Sequence, residues 1–226
     1  MVDHRSVFHA ICFGFYAYTC WFDAGLISGD LLPISGNFFS KFVWLTMVDL
    51  YLQTFYHLWG IFSPSCSCNK AFHYTAKVLV GPIGLSVVLL FWALYTLDPD
   101  FLLHDENAKK IIAITWFNNA IHSAPALTVF LDTILWQHGR ITKGAAVTGI
   151  TIFAILYLID IHYVHYISGF WAYPILGLLP LPARALFIVA CVAVFFIQYV
   201  FLDTISGWIH GVPIVEPAKK HGKKHH

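Results

Sequence analysis

Six long apolar runs constrain what this chain can become: Ser6–Ile27, Phe39–Phe62, Val78–Leu97, Ile111–Trp136, Ala145–Ile167 and Leu186–Trp208. About 20 apolar residues is the length that crosses hydrocarbon as an α-helix, because the bilayer core offers a bare backbone no hydrogen-bond partner. The runs are too long and too uniform for barrel strands. Turn and charge signals separate them: Pro33 and Gly36, then Ser63–Lys77, Asp98–Lys110 and Gln137–Gly144, and finally Ser168–Arg184 with Pro174, Pro180 and Pro182. Composition agrees, since hydrophobic residues make up 58% and charged residues 11% of the 226, against roughly 45–50% and about 25% in soluble domains. That balance excludes a disordered chain, a secreted disulfide scaffold and a nucleic-acid binder with a broad basic face. The expectation is an all-α polytopic membrane bundle of about six transmembrane helices over residues 1–210, with a basic tail over 211–226.

The distribution of Lys and Arg sets the expected orientation. With six spans, Arg5, Lys70, Lys77, Arg140, Lys143, Lys219, Lys220, Lys223 and Lys224 share one side with both termini, against Lys41, Lys109, Lys110 and Arg184 on the other. Nine against four predicts cytosolic termini, with the tail deciding the difference. The first run is long for a secretory signal and has no convincing cleavage site after it, so a retained anchor is expected. The end, Lys223-Lys224-His225-His226, resembles the dilysine address that returns membrane proteins to the endoplasmic reticulum, a signal read by coat proteins. A merely solvated basic tail is the plainer alternative, and the plasma membrane is a second expected location. Five cysteines show no framework spacing. Cys12, Cys20 and Cys191 read as small apolar residues, and Cys66 and Cys68 as loop thiols or acylation sites.

Polar groups inside spans are costly and usually face the bundle interior or a wet cavity. Thr46, Asp49 and Gln53 are spaced by three and four residues and share one helix face. A lone threonine there would ordinarily bond its own i−4 carbonyl, that of Phe42. In the fourth run, Asn118 and Asn119 lie four and three residues before His122, so amides flank an imidazole able to accept a proton. At 1.5 Å per residue, Thr46 lies about 9 Å and His122 about 18 Å inside the non-cytosolic boundary. By the same rise, His165 and Asp160 lie about 5 and 12 Å below Ser168. All four fall in the outer half or near the midplane, where one cavity could gather them. Asp132 and Asp203 fall near the opposite ends, where interfacial solvation is the simpler expectation.

The ordered set Trp44-Leu45-Thr46 with Asp49 and Gln53, Pro82 with Gly84, Phe91-Trp92 followed by Tyr95, Asn118 with His122, and Val164-His165 followed by Ser168-Gly169, Trp171 and Tyr173-Pro174 resembles the family of androgen-induced protein and androgen-dependent TFPI-regulating protein. The resemblance implies a multi-span membrane hydrolase that cleaves fatty acid esters of hydroxy fatty acids. It implies Thr46 as nucleophile and His122 as the essential histidine, with no cofactor and no metal. Three positions depart from the family pattern: Asn119 stands where a second histidine is expected, Ser123 where threonine is, and Asp132 where glutamate is. Under this reading Asp49 orients His122 or packs the helix, and Asn118 or His165 supplies the oxyanion donor. The expected partners are membrane lipids and a branched lipid ester entering from the bilayer, with no nucleic acid. Two other classes stay open at this point: a non-enzymatic regulatory or scaffold protein, and a haem or iron oxidoreductase using His57, His122, His162 and His165.

Overall fold

The computed structural model describes residues 3–26, 38–63 and 69–211, and every regular element within them is helical. Cys66, Cys68 and the tail with Lys223-Lys224-His225-His226 lie outside the described residues. The helices are α1 (His4–Leu26), α2 (Leu45–Phe62), α3 (Lys70–Leu97), α4 (Glu106–Ile112), α5 (Thr115–His122), α6 (Ala124–Leu135), α7 (Lys143–Ser168), α8 (Ile175–Leu178) and α9 (Leu181–His210). Among the described residues, α3, α7 and α9 are long and apolar enough to cross a membrane, at 28, 26 and 30 residues. Only 22% and 17% of the most apolar stretches of α7 and α9 are buried within the protein. Their outer faces present Ile152, Leu156, Leu186 and Val189. Contiguous apolar surface of that kind suits lipid rather than water.

Local chemistry moves several expected boundaries. The helix expected from Val78 begins at Lys70, where the Asn69 side chain accepts the Phe72 N–H at 3.1 Å. A π-helical turn, Thr75–Val80, precedes Gly81 and Pro82. Proline has no N–H to return to the previous turn, and the wider turn lets the Gly81 N–H reach the Ala76 carbonyl instead. The second run divides at Trp44, whose extended backbone (φ −89°, ψ 124°) separates a short 3-10 turn, Phe38–Val43, from α2. Tertiary bonds hold that break open. The Trp44 indole donates to the Ala172 carbonyl at 3.0 Å, the Leu45 N–H to the Tyr173 hydroxyl at 3.0 Å, and the Tyr157 hydroxyl to the Val43 carbonyl at 2.9 Å.

The fourth run, expected as one helix over Ile111–Trp136, is interrupted at Ala113–Ile114 and again at Ser123. Pro125 accounts for the second break, because its ring disfavours a helical turn before it and its nitrogen cannot donate. Ser123 (φ −132°, ψ −42°) therefore ends α5 and starts α6. The break leaves the His122 carbonyl free of helix bonding, and the Trp92 indole donates to it at 2.9 Å.

Two ion pairs tie elements together: Asp23 of α1 with Lys41 of the 3-10 turn, and Lys77 of α3 with Asp203 of α9 at 2.5 Å. Asp132 is not solvated at an interface as its position suggested. It is 6% exposed, accepts from the Tyr56 hydroxyl at 2.5 Å and pairs with His138 at 2.9 Å. Enclosure by α1, α2 and α3 explains the difference. α1 runs along α2 so closely that a β-carbon at Gly60 would overlap the buried His9 ring. Gly60→Ala is expected to cost about 1–3 kcal/mol by overpacking. A thermal unfolding midpoint in detergent checks it, and an unchanged midpoint would mean that the His9 ring yields freely.

Candidate active site

The breaks in the second and fourth runs bring two helix ends together. Thr46 lies in the first turn of α2 and His122 is the last residue of α5. The Thr46 hydroxyl is 3.3 Å from His122 Nε2, and His122 Nδ1 is 2.7 Å from the Asn118 carbonyl oxygen. An amide oxygen can only accept, so Nδ1 carries the proton and Nε2 presents its lone pair to the hydroxyl. The arrangement is an ordered relay of hydroxyl, imidazole and amide. The same logic of nucleophile, base and orienting group recurs on unrelated folds. At 3.3 Å the first bond is slightly longer than the roughly 2.6–3.2 Å of a working proton transfer, as is common before substrate tightens a site.

The imidazole is held rigidly. His122 is 4% exposed and lies flat on Phe91, with ring centroids 3.4 Å apart and planes within 4°. The Trp92 indole grips the backbone at His122 and also reaches the Ser123 hydroxyl at 3.2 Å. Asn119 takes no part in the relay: its amide donates to the Thr115 carbonyl at 2.9 Å, and its oxygen accepts from Ser123 at 3.0 Å.

The other expected residues lie elsewhere. Asp49 is buried, but its described hydrogen bond is to Gln53 at 3.1 Å. Asn118 therefore occupies the orienting position considered for Asp49. Asn118 uses its side-chain Oδ1 for this, which leaves its Nδ2 as a donor. His165 stacks on Trp171 with centroids 3.8 Å apart and lines neither cavity that meets Thr46. Of the histidines considered for a redox centre, His57 pairs with His9 at 2.9 Å and His162 with the Leu158 carbonyl at 2.8 Å. Among the described residues, no three His, Cys, Asp or Glu side chains gather as a metal-ligand set.

Two cavities meet at Thr46. One, of about 100 Å³, runs between α3, α7 and α9 past Leu90, Leu158, Phe187 and Phe195. The other, of about 180 Å³, has a mixed wall: Trp44, Ile121 and His122 with Asp23, Lys41 and His104. Burial lowers the His104 pKa below its ordinary value, so that its ring is neutral at pH 7. Thr46, Phe91, Leu102 and Tyr173 belong to both walls.

Two motif residues have structural roles that their spacing does not show. The Tyr173 phenol accepts the Leu45 N–H, one residue from Thr46, and sits 3.3 Å from the Tyr157 hydroxyl. Trp92 carries an indole N–H inside an apolar run, which requires an acceptor. The acceptor itself, a carbonyl exposed by a helix break 30 residues later, had no sequence signal.

Comparison with known proteins agrees with this picture at the level of family. Residues 4–207 match the FAR-17a/AIG1-like protein family. Human androgen-dependent TFPI-regulating protein is 22% identical over 209 residues, covering 88% of this chain and 87% of that protein. Human androgen-induced gene 1 protein is 24% identical over 132 residues, 58% of this chain and 55% of the relative's length. The mouse androgen-dependent TFPI-regulating protein is 30% identical over 140 residues, 62% and 59% of the two chains. No solved structure matches the chain. With nearly its whole length matched, the chain belongs to the FAR-17a/AIG1-like family.

Proposed function

We propose that the protein is an intramembrane ester hydrolase that cleaves fatty acid esters of hydroxy fatty acids at Thr46. The observation that carries this reading is the relay Thr46–His122–Asn118 placed where two cavities converge. A branched ester has two chains and one carbonyl between them, so two arms meeting at a hydroxyl match its shape. The fatty acyl chain suits the apolar arm, and the hydroxy acid with its free carboxyl group suits the arm with the polar wall.

In the first step the Thr46 hydroxyl loses its proton to His122 Nε2 as its oxygen attacks the ester carbonyl. The C–O bond to the hydroxy acid then breaks, His122 returns the proton to the departing oxygen, and an acyl-threonine remains. Water repeats the sequence and releases the fatty acid. Asn118 holds the tautomer throughout. The negative charge on the tetrahedral oxygen needs a donor, and the Tyr173 phenol, beside Leu45 and in both cavity walls, supplies it. Tyr173→Phe is expected to lower kcat by about 10²-fold with little change in KM, the range lost with one oxyanion donor. A steady-state comparison of the purified variants checks it.

The same reading places six spans in the bilayer with both termini cytosolic and the protein in the endoplasmic reticulum, its tail read by coat proteins. Substrate then enters sideways from lipid without passing through water. The test is a panel of branched and linear esters offered to purified protein in lipid nanodiscs. Turnover of branched esters is expected, with fluorophosphonate labelling on Thr46. A panel left intact, with no label on Thr46, would return the protein to the non-enzymatic class.

A further inference from the structure

Below Thr46, a carboxylate, an amide and an imidazole follow one another down the same face of α2. Asp49, Gln53 and His57 lie three, seven and eleven residues beyond Thr46, so the stripe is about 16 Å long. All three are buried, at 0%, 0% and 1% exposure. Gln53 donates to Asp49, yet Asp49 Oδ2, Gln53 Oε1 and His57 Nε2 have no hydrogen-bond partner among the described residues. Leaving a buried polar atom without a partner is costly, and three in one column call for a common cause. Trapped water is what ordinarily satisfies such groups in a polar space.

A third cavity flanks the lower stripe, with about 20 Å³ open to water centres, room for about one water, and is lined by Gln53 and His57 together with Lys77, Asp132, His138 and Asp203. It reaches the protein surface at the Lys77–Asp203 pair, where the Asp203 side chain is 45% exposed. Between this cavity and Thr46 stands Asp49, one helical turn below the hydroxyl.

We propose that this stripe is a water conduit that feeds the acyl-threonine from the end of α2 opposite the lipid cavities. The inference rests on the hydrolase reading above. Each turnover consumes one water, but when acyl chains fill the two arms that meet at Thr46, no water passes along them. A separate polar route supplies it. The incoming water gives one proton to His122 Nε2 while its oxygen bonds to the acyl carbon. The bond from that carbon to Thr46 Oγ1 breaks, and the proton goes to the threonine oxygen. Gln53 is a positioning residue for this water, touching neither substrate nor Thr46.

The test separates acylation from deacylation in the full-length protein in nanodiscs. Wild type, Gln53→Met and Gln53→Ser are mixed with a branched ester and quenched rapidly; released hydroxy acid and acyl-Thr46 are measured. Gln53→Met, which replaces the amide with an apolar thioether of similar size, is expected to keep the first-turnover burst. Its steady-state rate is expected to fall by about 10-fold or more, within the roughly 10²-fold cost of misplacing a reactant, with acyl-Thr46 accumulating. Gln53→Ser, small and polar, is expected to deacylate faster than Gln53→Met and more slowly than the wild type. A Gln53→Met protein with a normal burst and a normal steady state overturns the conduit and leaves the hydrolase intact. Wild type with neither burst nor acyl-Thr46 overturns the hydrolase itself. Where Gln53→Met loses the burst, radiolytic hydroxyl-radical footprinting of the wild type decides, since it marks buried side chains beside trapped water. Modification of His57 supports the conduit, and its absence overturns it.

Discussion

Thr46→Ala is expected to reduce ester hydrolysis to background, a loss of about 10⁴-fold or more, because Thr46 supplies the hydroxyl that faces His122 Nε2. The protein should still express and fold. Thr46 is only half-buried, and the described hydrogen bond of its hydroxyl is to His122, which keeps Asn118 and the Phe91 stack when that hydroxyl is removed. Two readouts make the result specific. Fluorophosphonate labelling should vanish with the hydroxyl, and Thr46→Ser, which restores an oxygen at the same place, should recover both label and turnover. Hydrolysis retained by the alanine protein would move the nucleophile elsewhere.

Removing the base should look different from removing the nucleophile. His122→Ala is expected to lower kcat by about 10²–10⁴-fold, the usual contribution of a positioned general base. Thr46 keeps its oxygen, so slow labelling should persist over long incubation, and the burst of hydroxy acid should slow rather than disappear. Because His122 is buried and stacked, its truncation also opens a cavity; His122→Gln fills most of that volume and separates lost packing from lost chemistry. Equal labelling rates in wild type and both variants would exclude the imidazole from the reaction.

How far the sequence could be read depended on the range of the interaction. Thr46, His122 and Asn118 were visible as candidates because helical spacing and depth are local properties: Asn118 and His122 are four residues apart, and Thr46 and His122 fell in the outer half or near the midplane of the expected bilayer. The family was visible through ordered motifs for the same reason. Choosing the orienting group required knowing which atoms face each other. Asp49 shares a face with Thr46 but lies a turn farther along, where Gln53 meets it, so the spacing that singled it out also kept it from the imidazole. His165 had suitable depth, but its ring lies flat on Trp171. The break at Ser123 was hidden because the apolar pattern runs on through Pro125, and a single proline inside a span is often tolerated. Asp132 misled for a related reason: position along a helix reports depth, not whether neighbouring helices cover the side chain.

The two chain breaks have an electrostatic consequence. Thr46 occupies the first turn of α2, where unpaired N–H groups concentrate partial positive charge, and His122 terminates α5, where carbonyls concentrate partial negative charge. When the proton crosses from oxygen to nitrogen, negative charge develops at the first helix end and positive charge at the second. Each macrodipole therefore favours the charge that appears beside it, by about 0.3–1 kcal/mol per helix terminus at exposed sites and up to about 2 where partly buried. Had either helix continued unbroken through its reactive residue, this alignment of fixed fields with the transferring proton would be lost.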